Sequence, residues 1–274
     1  MKRLDFMNLV ENPTLSSVPM AITIGVFDGI HIGHQEILSI CMGEARKRGL
    51  SSMVVTFSKN PKMEAGRLKR TPMLLTDFQK EEIIAKFGFD YYAVIDFSSD
   101  FSKLSAVEFL RLLCALCMPK VLVVGEDFRC GNPVSCAGPN ELCEYLNGRG
   151  QVDVIVPPLK RRADGMVVSS TLVRNCLSEG NLDVVREMLG RPYGLDLTRY
   201  SFKFQDGCLE YRTLSMQQML PKTGRYAAEL LIEDGEQTNV TVRLTEDTLS
   251  ILLDGWKGNT VRVRRLDFLM RSDI

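Results

Sequence analysis

The chain has 274 residues, with 34 Lys plus Arg against 34 Asp plus Glu and a formal net charge of zero. That balance excludes a basic nucleic-acid module, and 45% hydrophobic with 25% charged residues excludes disorder and collagen-like structure. At roughly 150 residues per domain, the length predicts one large or two modest domains.

In chain order, the start carries Lys2 and Arg3, but Asp5, Asn8 and Glu11 interrupt any signal-peptide core. Residues 20–156 then alternate between two periods. Apolar runs at Ala21–Phe27, Met53–Phe57, Tyr91–Ile95, Val121–Val124 and Val152–Val156 read as buried parallel strands. Helical stretches lie between them at 33–48, 77–87, 105–117 and 139–147. Their ends are marked locally: Gly49, Gly88 and Gly148 just past helix ends, Pro139 at a start, and Ser105 with Glu108 as a capping box. Strand–helix alternation predicts a doubly wound, Rossmann-like α/β sheet with its ligand at the carboxyl ends of the strands. Two short helices, 170–178 and 182–189, close at Gly190 and Pro192. Residues 199–265 change to short alternating segments separated by Asp206-Gly207, Asp234-Gly235 and Asp254-Gly255. They predict a small antiparallel β domain, a barrel or sandwich of about six strands. The expected division is 1–194 and 195–274.

The longest apolar stretch, 109–125, is broken by Arg111, Pro119 and Lys120 and falls short of the ~20 residues of a membrane span. Cys114 and Cys117 form one CxxC, but a zinc site needs four ligands and no second pair stands at metal spacing. The eight cysteines are therefore expected as buried, reduced thiols in a cytoplasmic protein with no membrane partner.

Both histidines of the chain fall in one segment, Gly25-Val26-Phe27-Asp28-Gly29-Ile30-His31-Ile32-Gly33-His34, between the first predicted strand and the first long helix. Three residues apart, His31 and His34 project from one face of the first helical turn. Glycines there let a phosphate chain approach the backbone, and a helix N-terminus offers N–H groups and a partial positive charge. The pattern points to a nucleotide phosphate held by two imidazoles. A two-histidine metal half-site, which lacks a third ligand, and plain capping histidines are the competing readings. Farther on, Ser169-Ser170-Thr171 opens a helix with Arg174 one turn in, either a second anion site or an N-cap with a surface arginine.

Together the HxGH and SSTxxR segments resemble the nucleotidylyltransferase superfamily. The order of Thr23–Gln35, Val121–Gly131, Ser169–Arg174 and Leu189-Gly190-Arg191-Pro192-Tyr193 is similar to prokaryotic FAD synthetase, the FMN adenylyltransferase half of a bifunctional riboflavin kinase/FAD synthetase. The resemblance covers about residues 18–194. It implies AMP transfer from ATP, carried with Mg²⁺, to FMN, giving FAD and pyrophosphate, with no protein metal site. It assigns His31, His34 and Arg174 to catalysis, and Gly25, Val26, Phe27, Asp28, Gly33, Gly125, Ser169, Ser170 and Thr171 to ATP. Ser58, Asn60, Asp127, Phe128 and Arg129 are assigned to the flavin. Two departures stand out. Where the family has Thr-Phe-(Asp/Glu)-Pro-His-Pro, this chain reads Thr56-Phe57-Ser58-Lys59-Asn60-Pro61, followed by the basic residues Lys62, Arg67, Lys69 and Arg70. Residues 195–274 lack the kinase half's Pro-Thr-Ala-Asn element and glycine cluster, so a degenerate kinase-like domain without riboflavin kinase activity is expected. Alternatives are the full bifunctional enzyme, a nucleotidylyltransferase for another phosphorylated acceptor, and a non-catalytic flavin-nucleotide binder.

Overall fold

The computed structural model describes residues 1–58, 71–96, 101–150, 152–233, 235–253 and 262–272. Lys59, Asn60, the basic run through Arg70, the Asp254-Gly255 turn and Val261 lie outside the described residues. The chain divides into two compact units, one formed by Met1–Thr71 with Lys80–Arg161, the other by Pro72–Gln79 with Arg162–Ile274.

In chain order the first elements are β1 (Lys2–Asp5), α1 (Phe6–Glu11), β2 (Pro19–Ile24), α2 (Ile32–Arg48), β3 (Ser51–Phe57), α3 (Asp77–Ala85) and β4 (Tyr91–Ile95). They continue with α4 (Ala106–Leu116), β5 (Met118–Val123), α5 (Pro139–Gly150) and β6 (Asp153–Ile155). The six strands form one parallel sheet in the order β1-β4-β3-β2-β5-β6, with Ile22 in register between Met53 and Leu122. Without the edge strand β1 this is the Rossmann order, and the connections diverge at β2 and β5. Their carboxyl ends therefore flank the crevice where such sheets take ligands.

Both faces of the sheet are covered, which is why its strands read as unbroken apolar runs. Phe6 and Leu9 of α1, Phe109, Leu110, Leu113 and Leu116 of α4, and Leu142 and Leu146 of α5 pack on Ile22, Ile24, Val55, Ile95 and Leu122 in one cluster. Helix α2 packs on β2, β3 and β5 through its buried Leu38, Cys41, Met42 and Ala45, residues outside that cluster, and covers the other face. The expected capping box is formed: Ser105 Oγ accepts from Glu108 N–H at 3.2 Å and Glu108 Oε2 accepts from Ser105 N–H at 2.7 Å. The Ser105 hydroxyl also donates to Glu108 Oε2 at 2.7 Å, and this bond, with the one from the Ser105 N–H, holds the Glu108 carboxyl below the usual carboxylate range. Two expectations are corrected. Strand β1 adds a sixth strand by pairing with β4, and α5 runs through Gly148 to Gly150 rather than ending before it.

The second unit contains α6 (Ser170–Glu179), α7 (Leu182–Leu189) and seven strands. These are β7 (Tyr193–Asp196), β8 (Lys203–Gln205), β9 (Cys208–Arg212), β10 (Gly224–Ile232), β11 (Gln237–Leu244), β12 (Thr248–Leu252) and β13 (Val263–Ser272). They form an antiparallel sheet ordered β7-β13-β10-β11-β12-β9-β8, in which β8–β13 are the six strands expected and β7 joins from before them. Alternation along β10 buries Tyr226, Ala228, Leu230 and Ile232. A buried amide network ties the short segment Pro72–Gln79 to β7. Gln218, 3% exposed, donates to Leu74 O, Gln79 Oε1 and Gly194 O at 3.2, 2.9 and 3.2 Å, and accepts from Asp196 N–H at 2.8 Å. Thr76 Oγ1 adds a bond to Asp196 Oδ2 at 2.7 Å. Gln218→Ala strands these buried partners and is expected to cost about 2 kcal/mol, read as a lower denaturant midpoint of the second unit. An unchanged midpoint would mean the network is replaceable by water.

Candidate active site

The loop from β2 to α2 takes an unusual backbone conformation at three positions. Phe27, Gly29 and Ile30 all take positive φ, at +51°, +84° and +39°. For a phenylalanine and a β-branched isoleucine this costs about 1–3 kcal/mol each and persists only where the surroundings dictate it. Here they do. Both side chains are buried, Gln35 Nε2 donates to Ile30 O at 2.9 Å, and Thr56 Oγ1 donates to Val26 O at 3.4 Å.

The histidines occupy the start of α2. His31 is its N-cap, accepting at Nδ1 from the His34 N–H at 3.4 Å. That bond places the proton of the neutral His31 ring on Nε2, where it can donate. The two imidazoles stack at 3.7 Å between centroids and 17° between planes, and Phe27 meets His34 edge-on at 5.5 Å. Burial first, then His31, then Lys80 push the His34 pKa well below its usual value, so this ring is neutral at pH 7. His34 Nδ1 is buried without a hydrogen-bond partner among the described residues. The glycines make room for these rings: a Cβ at Gly33 would lie 3.2 Å from His31 Nδ1, and one at Gly25 3.0 Å from the Phe27 ring. Asp28 is half-buried in the same loop. Helix α2 has no acidic residue in its first turn and Arg46, Lys47 and Arg48 in its last, so its N-terminal dipole stands uncancelled beneath the histidines.

Sequence reasoning missed Lys80. It is 5% exposed on α3, and its Nζ donates at 3.3 Å to the carbonyl of Phe57, the last residue of β3. Nothing in a mixed helix such as Asp77–Ala85 singles out one lysine; its burial is a tertiary fact. Ser58 follows Phe57, its N–H bonded to Ile95 O at 3.0 Å and its hydroxyl to Asp96 at 3.1 Å. At the end of β5, Gly125 is crowded by Asp127, whose Oδ1 would lie 3.0 Å from a Cβ there. Phe128 packs on the sheet core, while exposed Arg129 donates to the Phe128 carbonyl at 2.6 Å. Lys160 pairs with Glu36 of α2 at 2.9 Å.

In the second unit Ser169 is the N-cap of α6, its hydroxyl accepting from Leu172 N–H at 3.2 Å. Arg174 reaches back one turn to Ser170 O at 3.2 Å and to Pro72 O at 3.0 Å; Thr171 is exposed. The structure therefore groups His31, His34, Gly25–Asp28, Gly33 and Lys80 around one helix start, and Ser169, Ser170, Thr171 and Arg174 around another.

Among the described residues no three His, Cys, Asp or Glu side chains converge as metal ligands. Of the eight free cysteines, Cys41, Cys117 and Cys176 are buried as expected, but Cys114 and Cys136 are exposed. Cys114 lies in the last turn of α4 and Cys117 is its extended C-cap, so this CxxC gives one thiol to solvent and one to the core. Burial pushes the thiols of Cys41, Cys117 and Cys130 up to about 12. No helix among the described residues is long and apolar enough to cross a membrane.

Comparison with known proteins adds three findings. The family model for FAD synthetase matches residues 15–172, more than half of the chain. A bifunctional riboflavin kinase/FMN adenylyltransferase of Escherichia coli is 31% identical over 79% of this chain and 71% of its own length. Proteins of the same name from Listeria monocytogenes and from Buchnera aphidicola of Acyrthosiphon pisum are 28% and 34% identical, over 79% and 64% of this chain and 69% and 55% of theirs. A crystal structure of a macrolide-efflux protein from Streptococcus pneumoniae shares the fold, with a TM-score of 0.78 over 94% of this chain and 91% of that one at 22% identity.

Proposed function

Since the chain belongs to the FAD synthetase family, a family of nucleotidyltransferases, we propose that it transfers AMP from ATP to FMN and releases pyrophosphate. The observation that carries this reading is the stacked His31–His34 pair, His31 buried and His34 half-buried, on the uncancelled N-terminus of α2, at the divergence point of the sheet. A phosphate oxygen of FMN attacks the α-phosphorus of ATP in line. The new O–P bond forms as the bond from that phosphorus to the bridging oxygen breaks, and pyrophosphate leaves with the electron pair. The nucleophile is already ionised at neutral pH, so no general base is required, and the protein's work is positioning and charge neutralisation.

His31 Nε2–H and His34 would meet the oxygens of the α-phosphoryl group, whose negative charge favours imidazole donors. Gly25, Val26, Phe27, Asp28, Gly33 and Gly125 would border the nucleotide. Ser169, Ser170, Thr171 and Arg174 would hold the departing pyrophosphate, and Ser58, Asp127, Phe128 and Arg129 the flavin, with Asn60 as a further contact. Mg²⁺ enters with ATP, which supplies most of its ligands from phosphate and water. The free thiols favour a cytoplasmic setting.

We further propose that residues 195–274 are a degenerate kinase-like domain that does not phosphorylate riboflavin. Kinase chemistry needs backbone N–H groups cradling phosphates; of the three described glycines of this region, Gly207 and Gly235 take φ of +72° and +92° at hairpin turns and Gly224 opens β10 instead. Incubation with Mg²⁺ and ATP tests both statements. FMN should give FAD and pyrophosphate by chromatography, and riboflavin should give no FMN. Turnover of another phosphorylated acceptor in place of FMN would overturn the first, and FMN formation the second. Arg174→Ala should raise KM for ATP by about 10–100-fold, the usual worth of a charge-assisted hydrogen bond, with little change in fold. An unaltered KM would remove Arg174 from the site.

A further inference from the structure

We propose that Lys80 is the residue that takes the phosphate of the acceptor, an assignment that rests on the FMN reading above. Three observations place it there. Its ammonium is anchored at 3.3 Å on the carbonyl of Phe57, at the carboxyl end of β3 and one residue before Ser58, on the flavin side of the crevice. Strand β3 is the direct neighbour of β2, in register from Met20 with Ser51 to Ile24 with Val55, and β2 leads into the histidine loop. The lysine is 5% exposed, far from the usual solvated state of this side chain, so its charge acts at short range and with little screening.

His34 registers that charge. Among the described residues, the groups that act on its ring are His31 on its own helix and Lys80 on α3, both disfavouring its protonation. A cation held between the end of β3 and the two imidazoles stands where an acceptor phosphate must be to attack a phosphorus bound at the histidines. The same position neutralises the repulsion between that phosphate and the incoming triphosphate, a barrier that a neutral His34 leaves standing. Lysine, a compact point charge on a flexible stem, suits a phosphate that must also move toward the α-phosphorus.

The test compares two flavins that differ by that phosphate. Flavin fluorescence titrations on the intact protein should show Lys80→Gln weakening FMN by about 10–100-fold while riboflavin changes less than about 2-fold. Glutamine keeps a donor for the Phe57 carbonyl and removes the charge, which separates electrostatics from packing. Lys80→Arg, which restores the charge, should bring FMN binding back to within about 5-fold of the parent. Equal weakening of both flavins, or of neither, overturns the assignment while leaving FAD synthesis by the parent protein intact. A parent protein that makes no FAD overturns the FMN reading and this assignment with it.

Discussion

Alanine at His31 or His34 is expected to lower kcat by about 10²–10³-fold, the loss that follows removal of one pre-organised donor to developing charge. KM for FMN should move much less. The rings share one stack, and the Nδ1 of His31 fixes the first turn of α2 through the His34 N–H, so the two losses should not add. The double variant is expected within about 10-fold of either single one. Stopped-flow and steady-state rates would check this; a single variant with near-parental kcat would remove that ring from the chemistry. The pH dependence has a definite sign. The unfolded chain binds a proton at His34 near pH 6.5, and the folded chain binds it well below that value. Stability contributed by the neutral ring is therefore present above pH 6.5 and falls away as pH drops below it. Because the chain has two histidines and both lie in this loop, a histidine NMR titration of untagged protein reads the site directly.

Gly131→Ala should be the most damaging single methyl in the first unit. Gly131 has φ of +90°, and an added Cβ would lie 2.5 Å from Ala106 N and 2.5 Å from Ser135 O, both backbone atoms. Those two atoms are bonded to each other at 3.2 Å, which fixes the start of α4. Neither can retreat without breaking that bond. A loss of about 3 kcal/mol or more is expected, or a fall of roughly 6–12 °C in the melting transition of this unit. Survivors of the fold should show KM for FMN raised more than KM for ATP, since Asp127, Phe128 and Arg129 are carried by the same loop. A melting temperature within 2 °C of the parent would show that the loop re-routes around the methyl.

What the sequence disclosed was whatever is encoded locally. The four inner strands read as apolar runs, the capping box at Ser105 and Glu108 is a four-residue signal, and the two histidines sit one turn apart. What it hid depends on distant partners. Strand β1 is four mostly exposed residues whose ladder forms with β4, some ninety residues on. Lys80 carries no mark that separates it from solvent-facing lysines until α3 is laid against the end of β3. Gln79 and Gln218 are 139 residues apart and look like surface amides, yet each is the other's buried hydrogen-bond partner. Gly148 carries the composition of a stop, and the helix nevertheless continues through it.

The chain passes from one compact unit to the other at 71–72, back at 79–80, and across again at 161–162. Covalent order and folded order are thus out of step. A protease nick between Gln79 and Lys80 would leave the pieces joined by the β1–β4, β3–β4 and β2–β5 ladders as well as by the Gln218 network, so the cleaved protein should co-elute until denaturant is added. Truncation after residue 194 would take away Asp196 and Gln218 and leave Leu74, Thr76 and Gln79 with their buried amides and hydroxyl facing water. The eight residues Pro72–Gln79 belong to the fold of the second unit although the chain places them inside the first, so a second unit made from 162 onward would lack a piece of itself. Gene fusions or splits at the apparent strand-rich boundary would therefore be selected against, and the two parts should travel through evolution as one piece.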